Sequence, residues 1–284
     1  ESAFARISFN LSPNAKSLPL KMAFLAIAIF LCAFIRPAFA HGPLSYGRTV
    51  GPFVMTPDNL NMLPIGGIWL GTGFTHLYYQ RVVDRPPSYL SSIPLRIEVG
   101  LSANVAMVSS WDVRIRRDGD RTVGGVGDVA IATKVRVVNE QGRRPAIGVK
   151  FLTKLPNARD SGSYLGTDAT DFFATLILEK ESLSLSGGVA ILGSFNSAQG
   201  DNQQDDFATF SALWSTIPLA GVELSVGSTG FVSSRHRDDY AYAVIGLAAY
   251  LGRSIMQISF RLGLTHDSEA VGVSFDATFM LGKR

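Results

Sequence analysis

Few residues of this chain are placed to do chemistry. His266-Asp267-Ser268-Glu269 sets an imidazole two positions from a hydroxyl, and on a strand that spacing sends both side chains to one side. There the imidazole could take the hydroxyl proton and make the nucleophile of a lipid hydrolase. No second element such as a Gly-x-Ser-x-Gly elbow accompanies the pair, and a polar turn containing His is the simpler reading. Acidic groups at Asp201, Asp205 and Asp206, and at Asp238 and Asp239, carry the hard oxygens that Ca²⁺ takes, but neither group has the spacing of a calcium loop. They read as solvated loop charge, with contact to a divalent-bridged lipopolysaccharide surface as the functional version. His76 and His236 lack metal-ligand spacing. No enzyme activity, metal or cofactor is expected.

The other ionisable residues obey a parity rule. In residues 92–102, Leu95, Ile97, Val99 and Leu101 share one parity, and Arg96, Glu98 and Gly100 share the other. Val129, Ile131, Val135 and Val137 oppose Asp128, Lys134 and Arg136, while Ile147, Val149, Phe151 and Leu155 oppose Lys150 and Lys154. Val222, Leu224 and Val226 oppose Glu223, Met256 to Leu264 oppose Arg261, and Val271 to Phe279 oppose Asp276. Side chains alternate across a strand, so each segment has one greasy and one wet face. A closed barrel with lipid outside and a polar lumen accommodates this pattern, because an unpaired charge on the lipid face near mid-bilayer costs roughly 2–4 kcal/mol. The expected lumen-lining set is Arg96, Glu98, Asp128, Lys134, Arg136, Lys150, Lys154, Glu223, Arg261 and Asp276. Asp112, Arg114, Arg116 and Glu179 point the same way.

These residues need strands to position them. Candidates run over about 66–80, 92–102, 104–116, 126–139, 144–155, 170–180, 182–194, 205–217, 220–232, 239–251, 254–266 and 270–282, each near the length of a tilted membrane strand. Short links at Glu181, Pro218-Leu219 and Gly252-Arg253 alternate with longer polar stretches at 81–91, 117–125, 156–169, 195–204 and 233–238. Short turns at one end and long loops at the other are what a barrel requires. Tyr78, Tyr79, Tyr89, Trp111, Tyr240, Tyr242 and Tyr250 suit an interfacial girdle. Phe207 and Leu213 oppose Phe210 and Trp214, which leaves the outer face of that strand open.

Composition agrees. Of 284 residues only 17% are charged, and the net charge of +3 forms no basic stripe, so a nucleic-acid partner is not expected. Residues 22–40 place an apolar run after Lys16 and Lys21 and end in Ala38 and Ala40, the form of a cleaved secretory signal. The run from Ala23 to Ile35 is broken by Arg36 and Pro37 and is too short for a spanning helix. Met22 is the expected start, with residues 1–21 an upstream extension, and the one cysteine, Cys32, lies within the signal. Residues 41–64, with four prolines, read as an irregular segment that plugs the lumen or lies in the periplasm, and 65–284 as the barrel. A secreted β-sandwich also alternates its faces, but it needs about half as many strands.

Residues 125–194 also resemble a known family. Gly127-Asp128-Val129, Pro145-Ala146, Lys154-Leu155-Pro156, Gly166-Thr167-Asp168-Ala169-Thr170-Asp171 and Gly187-Gly188 are similar to the outer-membrane family labelled for the meta-pathway of phenol degradation, many of whose members are called transporters. Glu98-Val99-Gly100-Leu101 and Gly263-Leu264-Thr265 extend the likeness, the latter toward a similar uncharacterised barrel family. The resemblance implies an outer-membrane barrel that passes or adsorbs hydrophobic or aromatic compounds. The chain departs from the usual terminal aromatic in ending Met280-Leu281-Gly282-Lys283-Arg284.

The expectation is therefore an all-β, antiparallel up-and-down transmembrane barrel of about 12 strands in the bacterial outer membrane. Its partners are outer-membrane lipid, lipopolysaccharide and the barrel-assembly machinery. Its function is passive or facilitated passage of small solutes, with an envelope-structural barrel holding a plugged lumen as the alternative.

Overall fold

The computed structural model describes residues 59–79, 88–157, 170–196, 201–219, 221–233, 239–265, 268 and 271–281. The signal segment expected at 22–40 and most of the segment at 41–64 lie outside them. The described residues form β1 (Ile68–Tyr79), β2 (Ser88–Ser102), β3 (Val105–Asp118), β4 (Arg121–Val126), β5 (Val129–Val138), β6 (Ala146–Leu155) and β7 (Asp171–Lys180). Beyond these come β8 (Leu183–Asn196), β9 (Asp201–Leu219), β10 (Val222–Ser233), β11 (Tyr240–Leu251), β12 (Ser254–Gly263) and β13 (Val271–Leu281).

Every neighbouring pair is antiparallel, and the ring closes where β1 meets β13, from Ile68 opposite Leu281 to Tyr78 opposite Val271. Closure removes the edges that an open sheet would expose. β4 and β5 share one place in the wall: β3 pairs with β5 over Val105–Ser110 and with β4 over Val113–Asp118. The barrel therefore has 12 wall positions from 13 strands.

The alternation read from the sequence appears as exposure. Phe151 is 56% exposed, as are Phe74, Ile131, Leu176, Ile245, Phe260 and Phe275 to similar degrees, while Glu98, Asp112, Arg114, Lys134 and Arg261 on the opposite parity are buried. In a closed barrel the buried face is the inside.

One expected loop is strand, and so are the described ends of another. Residues 117–125 form a tight hairpin between β3 and β4, paired from Val113–Val126 to Asp118–Arg121, and at 195–196 and 201–204 the β8–β9 ladder continues, as far as Asn196 opposite Asp201. Their polarity is that of loops. In the β3–β4 hairpin polar side chains alternate with Ile115 and Val123 while the ladder is kept.

The inside is not uniformly polar, which corrects the expectation of a wet lumen. Ala130, Ala132, Leu152, Phe173, Ala190, Leu192, Phe207, Phe231 and Tyr242 form one buried apolar cluster. All lie on the inner parity of β5 to β11, toward the long-loop end. Phe231 meets Phe173 and Phe207 edge-on, with ring centroids 6.3 and 6.4 Å apart, the geometry that aligns positive ring edges with negative faces.

Candidate functional site: the charged interior

The inner charges gather in three groups, each set by strand register. Toward the short-turn end, Arg96 Nη2 lies 2.7 Å from Glu98 Oε2 and Lys134 Nζ lies 3.1 Å from Glu98 Oε1. The Glu98 side chain is 2% exposed and that of Arg96 is 39% exposed. Two cations on one carboxylate offset the cost of burying it. Lys134 also donates a 2.8 Å hydrogen bond to the carbonyl of Asn61. Asp276 lies in the field of Arg261 and Arg96.

Toward the long-loop end, Lys154 bridges strands: its Nζ lies 3.6 Å from Asp128 Oδ2 and also pairs with Asp171. Both carboxylates are further bound to backbone, Asp128 accepting from the Asn157 N–H at 3.1 Å and Asp171 from the Gly193 N–H at 3.0 Å. One lysine thus ties β5, β6, β7 and β8.

Beside it, Arg114 Nε donates to Asp112 Oδ2 at 2.7 Å. A Cβ on Gly127 would fall on the Asp112 carboxylate and the Arg114 guanidinium. Only glycine clears this pair at the break between β4 and β5, where the Gly127 N–H donates to the Asp112 carbonyl at 2.8 Å.

The remaining expected residues are dispersed. Glu223 accepts a hydrogen bond from the Tyr250 hydroxyl, and Arg136 Nη2 donates to the Ala103 carbonyl at 3.1 Å at the β2–β3 turn. Lys150 lines a cavity of about 30 Å³ with Leu152, Phe173, Thr209 and Phe231, room for a water or two. The buried Thr209 hydroxyl has no hydrogen-bond partner among the described residues.

Reading by residue type missed Asp171, Leu60, Asn61 and the apolar cluster. The signal for the cluster was β7, where Phe172 and Phe173 place phenyl rings on both faces.

Other candidates take structural places. His266 lies outside the described residues. Ser268 is buried, with its Oγ 2.9 Å from both the N–H and the carbonyl of Ala241 and 2.7 Å from Thr265 Oγ1, so its hydroxyl fastens a turn. His76 accepts or donates at 2.9 Å to Ser91 Oγ and stacks on Phe74 and Tyr89. Tyr89 in turn meets Tyr78 with centroids 5.2 Å apart, an outer aromatic group near the long-loop end as expected of a girdle. Tyr242 and Tyr250 do not join one. By register Tyr242 faces Gly263 and Tyr250 faces Ile255 on the inner parity, and Tyr242 is buried in the apolar cluster with Tyr240, partly buried, packed against it. Trp214 and Phe210 share the outer parity with Val226, which settles the open face of β9. The side chains of Tyr79, Asp201, Asp205 and Asp238 lie outside the described set, as does His236.

The barrel is similar to an outer membrane channel from Pseudomonas putida F1, with a TM-score of 0.64 at 12% identity over 80% of this chain and 99% of that one. It is also similar to the NanC porin (TM-score 0.48, 8% identity, 76% of this chain and 100% of that one). A third likeness is to the translocator domain of the autotransporter NalP from Neisseria meningitidis (TM-score 0.49, 10% identity, 79% of this chain and 91% of that one). The first of these identifies the fold as that of an outer-membrane β-barrel. No protein-family model matches the chain, and no curated protein does.

Proposed function

We propose that this chain is a bacterial outer-membrane barrel that lets small solutes cross, hydrophobic or aromatic ones among them, and that it is not an enzyme. The observation that carries the reading is the closed ring itself, apolar outside and charged within. A structure with that distribution is at rest only with hydrocarbon around it. The likeness to an outer membrane channel supports the same reading at the level of fold.

In this reading Arg96, Glu98, Asp128, Lys134, Arg136, Lys150, Lys154, Glu223, Arg261 and Asp276 form the charged lining of the passage, with Glu98, Asp128, Lys134, Lys154 and Arg261 buried within it. Six of the ten are basic, which favours anions where water passes. The inner apolar cluster with Phe173, Phe207 and Phe231 supports hydrophobic or aromatic solutes, in line with the resemblance to the phenol-pathway family. Export through cleavage after Ala40, assembly by the barrel-assembly machinery and contact with lipopolysaccharide complete the proposal.

A second reading, an envelope-structural barrel with a plugged lumen, is favoured by one observation: Lys154, Lys134 and Arg114 are buried in internal pairs. Liposome swelling with the folded protein separates the two. Swelling in small sugars or anions is the expected result, and its absence with verified insertion would leave the structural barrel.

A further inference from the structure

Positive charge keeps off the outer face of the wall except at two places. Among the described strand residues, only Lys180 on β7 and Arg117 on β3 bring a cation to the outer parity. Lys180 stands at the short-turn end and is answered there: its Nζ pairs with Glu140 and donates to the Gly142 carbonyl at 2.8 Å. Arg117 stands at the long-loop end, exposed. Its Nε donates to the Gly119 carbonyl at 3.2 Å, and it meets no carboxylate among the described residues. The hairpin tip from Arg116 to Arg121 holds three arginines against two aspartates, and one of these, Asp118, is already paired with Arg116 at 2.8 Å. The balance at this spot favours an anion from outside.

Strand register lays three rows of outer side chains through the same place. In the top row Arg117 lies between Tyr89 and Thr122, and Tyr89 pairs with Tyr78. One step toward the middle of the barrel, Ile115 lies between Ser91 and Gly124, and Ser91 pairs with His76. A further step down, Val113 lies between Ile93 and Val126, and all three are exposed. The face therefore passes from cation and phenols, through an imidazole, to hydrocarbon. Its rings form one array: His76 stacks on Tyr89 with centroids 5.8 Å apart, Tyr89 meets Tyr78 at 5.2 Å, and the bond from His76 Nδ1 to Ser91 Oγ at 2.9 Å holds the imidazole in line. Gly124 is not required by the packing of the wall, since a Cβ there would meet only the Arg114 carbonyl and Ile115 at ordinary contact distance. Its missing side chain leaves a recess beside Ile115.

We propose that the outer face of β1 to β4 at the long-loop end is a docking surface for lipid A, the phosphorylated and acylated disaccharide that anchors lipopolysaccharide. The long-loop end of such a barrel is the extracellular one, and phosphate, sugar and acyl chain succeed one another along lipid A in the order of the three rows. The planar fork of Arg117 takes a phosphate in two charge-assisted bonds. Tyr78, Tyr89 and His76 set apolar ring surface and polar tips against the sugar. Acyl chains lie over Ile93, Val113 and Ile115, with the recess at Gly124 receiving one of them. The inference rests on the outer-membrane reading, whose lipopolysaccharide contact it places on this face and through phosphate, without a divalent bridge.

The test is native mass spectrometry of the detergent-folded protein, its folding checked on an unheated gel, with bis-phosphorylated lipid A as the probe in buffer containing EDTA. Arg117→Gln is expected to weaken lipid A binding by about tenfold, the worth of one charge-assisted contact. The double variant His76→Ala/Tyr89→Ala is expected to weaken it as well, while Arg117→Lys keeps part of it and Lys180→Gln, at the other end of the wall, leaves it unchanged. Should the double variant not fold, Arg117→Gln decides alone. Equal binding by the parent and Arg117→Gln overturns the docking surface and leaves the outer-membrane reading standing. Full competition by inorganic phosphate, or equal uptake of phosphatidylglycerol by the parent, overturns lipid A as the occupant. No uptake of either lipid by the folded parent overturns the outer-membrane reading and the surface with it.

Discussion

At the scale of single residues, the interior is governed by the cost of burying charge. Lys154 stands between Asp128 and Asp171, so its loss leaves two carboxylates facing each other with their shared cation gone. Lys154→Met is expected to lower the stability of the detergent-folded protein by about 3–5 kcal/mol, measured as a shift of the urea midpoint. Asp128→Asn with Lys154→Met should recover part of that loss, since one of the two like charges is then removed. Ser268 is of the opposite kind. Its hydroxyl serves Ala241 and Thr265, and Ser268→Ala is expected to cost about 1 kcal/mol. A loss of lipid hydrolysis in that variant, with hydrolysis present in the parent, would restore the enzyme reading. Parity alone placed Arg96, Glu98, Lys134 and Lys154 on one face of their strands. It could not name their partners, because register between strands is fixed by contacts distant in sequence, and so Asp171 went unmarked.

At the scale of elements, each strand must satisfy two surroundings at once. Phe151 on the outer face of β6 meets lipid in the proposed surroundings, and Phe151→Arg is there expected to cost about 2–4 kcal/mol. Gln257→Arg, on the inner parity of β12 opposite Asp276, should leave the urea midpoint near the parent's. The break between β4 and β5 makes a sharper demand. Gly127→Ala would drive a methyl into the Asp112–Arg114 pair, at an expected cost of about 1–3 kcal/mol in the same titration. Strand order and most strand limits were legible because alternation and turn residues are local. The β3–β4 hairpin was not, since Arg116 to Arg121 carry loop-like polarity on a ladder that rises past its neighbours. Tyr242 was misplaced for a related reason: a tyrosine at a strand end suits the girdle or the lumen equally, and only the register with Gly263 decides.

At the scale of the whole molecule, closure of β1 on β13 satisfies every strand of the wall and leaves apolar side chains as the outer surface. Such a barrel resists unfolding by detergent until heated, so the unheated protein is expected to migrate apart from the boiled one on a gel. The segment of 59–64 was legible as irregular, with the lumen as one of its two expected places, but the contact of Leu60 with Gly148 was not, because nothing in a proline-rich stretch announces it.

The central claim is that hydrocarbon surrounds the barrel and the ionisable side chains face inward. Nitroxide labels on single cysteines introduced in turn along β6 (Ala146–Leu155), in a Cys32→Ser background in bilayers, test it most directly. Collision with oxygen, which concentrates in lipid, is expected to peak at positions 147, 149, 151, 153 and 155 and to fall at 148, 150, 152 and 154. A flat profile, or one with its peaks at 150 and 154, would contradict the account.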